Sequence, residues 1–284
     1  MIKIKRFQGK GREIMKRALK LVGVLSLSML LLAGCSSSKK AEKAPTQKQE
    51  DKELTLYVVR HGKTMLNTTD RVQGWSDAVL TKEGEEVVSA AGKGLKDVDF
   101  QNAYSSDSGR AMQTANLILA ENQTASKLQL QTDPGLREFN FGTYEGDLNH
   151  TMWSDIAKNQ GVELEEFLKT MTPESFANSV AEIDKERNKD GKNWPAEDYQ
   201  TITSRLTNSL NTIVKEESAK DGSGNVLIVS HGLSISALLD TLFDDFEAPE
   251  GGLQNASVSI IKVKDGNYTL ETVNDTSYIE KGQE

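Results

Sequence analysis

Two histidines of this chain stand at matching places. Leu54 to Val59 is a short apolar, β-branched run that ends on Arg60-His61-Gly62, and Val226 to Ser230 is a second such run that ends on His231-Gly232. Runs of this kind read as buried parallel strands. In an open α/β sheet the carboxyl ends of the strands form the ligand crevice. The chain has only three histidines, so two imidazoles delivered to one crevice, one beside an arginine, suit an anion.

The loop after His61 and two further segments carry polar groups of the same character. After His61, Gly62 lets the backbone pass close to a bound group without a Cβ in the way, and Thr64 and Asn67 can donate to phosphate oxygens. In Ser105-Ser106-Asp107-Ser108-Gly109-Arg110-Ala111-Met112-Gln113-Thr114-Ala115, Arg110 falls in the first turn of a helix. A cation there is disfavoured by the helix dipole unless an anion binds at the same end. By itself Arg110 fits a bound anion and a solvent-facing side chain equally well. In Leu136-Arg137-Glu138-Phe139-Asn140-Phe141-Gly142-Thr143-Tyr144-Glu145-Gly146, Glu138 stands among aromatic residues. Burial against them would keep its carboxyl protonated near neutrality.

The elements that must position these groups alternate along the chain. Thr81 is the expected N-cap of a helix through Val87, Val88, Ala91 and Leu95. Residues 98–104 and 128–132 read as short strands, and a helix carrying Ala111, Thr114, Ala115, Ile118 and Leu119 lies between them. Residues 148–220 read as a helical insert over the sheet edge, its last helix opened by Pro195 as a first-turn proline. Tyr199, Ile202, Leu206, Leu210 and Ile213 share one face of that helix. Residues 233–243 read as a buried helix, and Ser257–Val263, Asp265-Gly266 and Tyr268–Val273 as a hairpin.

Residues 1–34 read differently. Eight basic residues precede the apolar stretch Leu21 to Gly34, which is shorter than the ~20 residues a bilayer span needs. This is the pattern of a secretory signal. Its end, Leu32-Ala33-Gly34-Cys35, resembles the bacterial lipobox. The resemblance implies cleavage before Cys35 and lipidation of its thiol at the outer face of the cell membrane. Cys35 is the only cysteine, so no intramolecular disulfide can form. An uncleaved anchor helix with an incidental cysteine is the alternative. Residues 35–52, rich in Ser, Lys and Gln, read as a flexible tether, and 53–284 as one folded domain. The full chain carries 34 basic and 42 acidic residues. Without residues 1–34, 26 basic and 41 acidic residues remain, a net charge near −15. Such a body makes nucleic acid an unfavourable partner, and an anionic substrate needs a locally positive pocket.

Taken together the four segments, with Gln73-Gly74 and Asp77-Ala78-Val79-Leu80-Thr81 between them, resemble the histidine phosphatase superfamily, the phosphoglycerate mutase-like fold. The resemblance runs from the first strand to the buried helix at 233–243. It implies an α/β fold with a mostly parallel sheet, helices on both faces, the insert as a lid and a C-terminal hairpin. It further implies a two-step phosphoryl transfer without metal or cofactor, acting on a small phosphorylated substrate. His61 would be the nucleophile. Arg60, Arg110 and His231 would hold the phosphoryl oxygens, and Glu138 would act as acid and then base. Gly62, Thr64, Asn67, Gln73 and Gly74 would line the phosphate loop. Mutase members carry Glu-Arg-His-Tyr-Gly where this chain has Glu138-Phe139-Asn140-Phe141-Gly142, and an exported mutase would lack phosphoglycerates and a bisphosphorylated primer. Phosphatase is therefore the expected branch. A mutase and a non-catalytic module that binds a phosphorylated ligand are the alternatives. Trp153, Phe167, Phe176 and Trp194 of the insert are the candidates for a substrate wall, and His150 is expected at the surface.

Overall fold

The computed structural model describes residues 52–220 and 222–284. The expected signal peptide, Cys35 and all of the expected tether except Lys52 lie outside the described residues. Six strands form one sheet in the order β3-β2-β4-β1-β5-β6: β1 (Glu53–Arg60), β2 (Phe100–Ser105), β3 (Leu130–Thr132), β4 (Gly224–Ser230), β5 (Val258–Lys264) and β6 (Asn267–Asp275). The first four run parallel, while β5 and β6 are antiparallel. The fold is thus α/β with a mostly parallel sheet, as the sequence leads one to expect.

Both faces of the sheet are covered, and the two-residue period of a strand divides the side chains between them. Leu54, Leu56, Val58, Val226 and Ile228 enter one core, and Val59, Leu227 and Val229 the other. This is why the runs are apolar without alternation. Each fully buried aliphatic residue contributes roughly 1.5–3 kcal/mol. On the second face lie α2 (Lys82–Gly94), α3 (Gly109–Glu121) and the terminal α9 (Ser277–Gln283). The chain of α9 passes so close to α2 that a Cβ at Gly282 would sit 1.8 Å from the Ala90 carbonyl oxygen. The hairpin turn is Asp265-Gly266, both at positive φ, the conformation that a tight two-residue hairpin turn requires.

The insert supplies α4 (Asn149–Gln160), α5 (Leu164–Thr170), α6 (Pro173–Arg187) and α7 (Tyr199–Ala219). Phe167 and Phe176 are buried in the first core beside Ile202, Leu206, Leu210 and Ile213, and Trp153 packs against it. Two sequence expectations are displaced. Pro195 does not open α7; Asp198 caps it by accepting the Thr201 amide at 2.8 Å. Residues 193–197 are instead bound to the loop below, through Asn193 Nδ2 to the Gly142 carbonyl (2.9 Å) and the Glu197 amide to the Asn140 carbonyl (3.0 Å). The first-turn proline of this region is Pro173, at the head of α6. The strand expected from residue 98 begins at Phe100, after Val98 and Asn122 close the preceding turn. Among the described residues no helix is long and apolar enough to cross a membrane.

Candidate active site

Strands β1 and β4 pair in parallel with Arg60 opposite Ser230, so the next residue on each strand is a histidine. The imidazoles of His61 and His231 lie with centroids 5.2 Å apart and planes at 60°. Both are buried. His61 Nδ1 lies 2.8 Å from the Gly62 carbonyl oxygen. A carbonyl can only accept, so the neutral ring carries its proton on Nδ1 and presents the lone pair of Nε2. The Gly62 amide in turn donates to Thr114 Oγ1 at 3.0 Å. A Cβ at Gly62 would meet Val88 at 2.5 Å, so packing on α2 requires a glycine here. His231 is the N-cap residue of α8 (Gly232–Leu242), and neither of its buried ring nitrogens has a protein partner.

Arg110 is wholly buried, 0% exposed, in the first turn of α3. Its Nη2 donates to the Gly74 carbonyl (2.8 Å), and its Nη1 to the Ser76 carbonyl (3.1 Å) and Asp77 Oδ1 (2.9 Å). Arg60 donates from Nη1 to the Leu253 carbonyl, and its Nε and Cζ lie against Gly232. The Nε atoms of both arginines are buried and lack protein partners. Burial lowers the basicity of His61 and His231 well below the ordinary 6.5, and the positive charges of Arg110 and Arg60 lower both further. Burial also lowers Arg60 below its ordinary value, opposed by the charge of Glu138. Two arginines and His231, with unpartnered buried nitrogens, make a receptor for an oxyanion beside the His61 ring.

The loop after β1 is tied by a short helix, α1 (Met65–Thr68). Thr64, expected as a donor to a bound anion, uses its hydroxyl within the loop. It donates to Gln73 Oε1 at 2.6 Å and accepts the Asn67 amide at 3.1 Å. That orients Gln73, whose buried Nε2 is unpartnered. Asn67 Oδ1 accepts the Thr64 amide at 3.1 Å, which fixes which end of its amide group is inward. Gly74 is indispensable sterically, since a Cβ there would lie 2.1 Å from the Phe139 carbonyl oxygen.

Glu138 is buried, yet its carboxylate does not face the rings that flank it in sequence. Phe139, Phe141 and Tyr144 enter the first core, whereas the carboxylate sits at the N-terminus of α8. Its Oε1 accepts the Phe139 amide (3.0 Å) and the Ser234 amide (2.9 Å), with Ser234 Oγ at 3.0 Å; Oε2 accepts the Leu233 amide at 3.1 Å. The surroundings are polar donors at a helix end, not the aromatic enclosure expected from the sequence. Oε2, with a single donor, is the less engaged of the two oxygens.

Several residues that hold this arrangement were not singled out by sequence. Glu145 accepts the amides of Gly74, Trp75, Ser76 and Phe141 and the Ser76 hydroxyl. Arg205 grips the backbone carbonyls of Gly135, Arg137 and Glu138 while it forms a two-pronged pair with Glu197 at 2.8 Å. Arg137, beside the acid, is paired with Asp107 at 2.7 and 2.6 Å. Glu145 lies within the third motif; nothing in the linear order links Arg205 to it. His150 is exposed on α4, as expected from the sequence. Among the described residues no group of three or more His, Cys, Asp or Glu could hold a metal ion.

Residues 56–182 and 163–276 match the model of the histidine phosphatase superfamily, branch 1. The fold is similar to that of a phosphoglycerate mutase from Bacillus anthracis, with 44% identity, a TM-score of 0.75, and coverage of 82% of this chain and 98% of that one. It is also similar to Bacillus stearothermophilus YhfR, with 27% identity, a TM-score of 0.62, and coverage of 80% and 99%. Among curated proteins, "Probable fructose-2,6-bisphosphatase TIGAR A" of Danio rerio is 31% identical over 212 residues, 68% of this chain and 78% of that protein.

Proposed function

This chain belongs to the histidine phosphatase superfamily, and on that premise we propose that it hydrolyses phosphate monoesters through a phosphohistidine at His61. The observation that carries the reading is the Nδ1–H of His61 held on the Gly62 carbonyl at 2.8 Å, in a pocket where Nε of Arg60, Nε of Arg110 and both ring nitrogens of His231 are buried without a protein partner. That tautomer makes Nε2 a nucleophile at neutral pH without a general base.

In the first step Nε2 forms a bond to phosphorus as the ester P–O bond breaks, and the Glu138 carboxyl gives its proton to the departing oxygen. Arg60, Arg110 and His231 face the equatorial oxygens, where the charge of the transition state lies, so positioning and electrostatics do most of the work. In the second step the Glu138 carboxylate takes a proton from water as that oxygen bonds to phosphorus. The P–N bond breaks, neutral His61 is restored and inorganic phosphate leaves. Gly62, Thr64, Asn67, Gln73 and Gly74 shape the phosphate loop, Thr64 by way of Gln73. The aromatic sequence Glu138-Phe139-Asn140-Phe141-Gly142 supports hydrolysis over mutase chemistry.

Cys35, outside the described residues, is the proposed site of lipid attachment. It would hold the enzyme on the extracytoplasmic side of the cell membrane, where it meets small phosphorylated substrates and no nucleic acid.

The test is release of phosphate from p-nitrophenyl phosphate by the full-length protein in the presence of chelator, from acid to mildly alkaline pH. Turnover that disappears in His61→Ala is the expected result. Primed isomerisation of 3-phosphoglycerate without net phosphate release would make the protein a transferase. Binding of phosphate esters with no turnover would make it a binding module.

A further inference from the structure

Arg60 and Arg110 each keep a buried Nε without a protein partner, whereas Arg205 uses every N–H it has on the protein itself. Its Nε and Nη2 each donate to Glu197 at 2.8 Å. Nη2 donates further to the Glu138 carbonyl (2.8 Å), and Nη1 to the carbonyls of Gly135 (3.0 Å) and Arg137 (2.6 Å). A guanidinium has five donors, and these acceptors saturate them. Nothing is left over for a ligand. Arg205 nevertheless stands close to the reacting groups: burial, then the charges of Arg110, His61 and Arg205, lower the basicity of His231.

What Arg205 holds is the backbone on either side of the proposed acid. Residues 137–141 belong to no helix or strand, so no ladder fixes them. The Arg137 carbonyl, on the peptide before Glu138, accepts from Arg205 and from Ser234 Oγ at 2.8 Å. The Glu138 carbonyl, on the peptide after it, accepts from Arg205 and from the Trp75 indole N–H at 3.0 Å. The N–H of that second peptide is the Phe139 amide, which donates to Glu138 Oε1 at 3.0 Å. A peptide unit is planar, so holding its carbonyl also aims its amide. Fixing both peptides that flank the Glu138 Cα fixes φ and ψ there, and with them the direction of the side chain.

Glu197 completes the clamp. Its Oε2 accepts the Asn140 amide, and its own amide donates to the Asn140 carbonyl, both at 3.0 Å. The side chains of Arg205 and Glu197 are only 16% and 11% exposed, and a shielded charge that loses its partner is left uncompensated. The loop of the acid is thus fastened to the insert at residues 197 and 205.

We propose that Arg205, paired with Glu197, is a positioning residue for the general acid: by holding the Arg137 and Glu138 carbonyls it keeps the Glu138 carboxyl aligned with the departing ester oxygen. The inference rests on the hydrolase reading above. Its removal slows proton donation and leaves the phosphoryl contacts of Arg60, Arg110 and His231 in place.

The test compares kcat of the full-length protein on phenyl phosphate and p-nitrophenyl phosphate, esters of similar shape whose leaving oxygens differ in their need for a proton. The ratio of the two values does not depend on how much of the enzyme is folded. Arg205→Ala should lower the phenyl to p-nitrophenyl ratio about tenfold, the scale of a reacting group displaced by a fraction of an ångström, with KM for p-nitrophenyl phosphate held within about twofold. Adding Arg205→Ala to Glu138→Gln should lower the ratio no further than Glu138→Gln alone. If Arg205→Ala does not fold, Arg205→Lys carries the same comparison; it keeps the charge and loses the fork, and a fall of roughly threefold is expected. A ratio unmoved in the folded Arg205 variant while Glu138→Gln lowers it, or a further fall in the double variant, overturns this inference and leaves hydrolysis standing. Equal losses on the two esters in Glu138→Gln remove the acid on which the inference rests. Phosphate release from neither ester by the parent protein removes the hydrolase reading and this inference with it.

Discussion

The carbonyl of Gly62 holds the Nδ1 proton of His61 at 2.8 Å, and the amide of the same glycine is held by Thr114 at 3.0 Å. The nucleophile's tautomer is therefore set by the backbone of one glycine packed on α2 and α3, with no carboxylate involved. A His61→Ala variant should lose at least about 10³-fold in kcat and form no acid-labile phosphoenzyme with radiolabelled substrate. Its thermal midpoint should remain close to that of the parent. Labelling of the alanine variant at the parental level would place the nucleophile elsewhere.

Glu138→Gln separates proton donation from charge. The amide keeps an acceptor for the Ser234 and Phe139 amides but cannot give up a proton. The expected loss is about 10²–10⁴-fold in kcat for an alkyl phosphate, and much less for p-nitrophenyl phosphate, whose leaving oxygen needs no proton. Equal losses on the two esters would show that Glu138 acts as a structural cap of α8 alone.

The buried histidines make stability depend on pH. Burial, with the charges of Arg110 and Arg60, holds His61 and His231 well below the ordinary 6.5, so below pH 6.5 the unfolded chain takes up protons that the folded chain does not. Stability from these groups is complete above 6.5 and falls as the pH drops beneath it. Denaturant titrations at pH 6.5 and 5.5 should show a loss that is smaller in His61→Gln than in the parent. In the free enzyme the acid limb of kcat/KM due to His61 should lie below 6.5. A limb above that value would contradict the assignment.

Glu145→Ala leaves four backbone amides and a hydroxyl without their acceptor. The expected destabilisation is about 2–4 kcal/mol, a fall of roughly 5–15 °C in thermal midpoint. Since the loop so held also presents the Gly74 carbonyl to Arg110, KM should rise as well, and calorimetry with steady-state kinetics reads both. A midpoint within 1 °C of the parent's, by order of magnitude no stability change at all, would show that the loop is held by other contacts.

Cys35→Ser addresses the proposed anchor. Loss of the protein from the membrane fraction, together with failure to incorporate labelled fatty acid, is expected if the thiol is lipidated. Retention in the membrane would point to an uncleaved apolar segment instead.

Local chemistry in the sequence was enough for most of the elements and for many of the residues that the fold gathers in the buried site. Two apolar runs ending in histidine, Thr81 ahead of a helical pattern, and Asp265-Gly266 between alternating segments each declare themselves within a few residues, because burial, capping and turn geometry act over that range. The parallel register that sets Arg60 opposite Ser230 was not written in either strand; pairing of β1 with β4 decided it, and thereby brought His61 beside His231. The partners of Glu138 were equally out of reach. Aromatic neighbours in sequence suggested an apolar enclosure, but successive residues there diverge, the rings into the core and the carboxylate onto the end of α8. Arg205 and Glu197 come to the site from the far end of the insert, across separations over which sequence order carries no information about distance. Residue type determined what chemistry the chain can perform, and tertiary packing decided which atoms face one another.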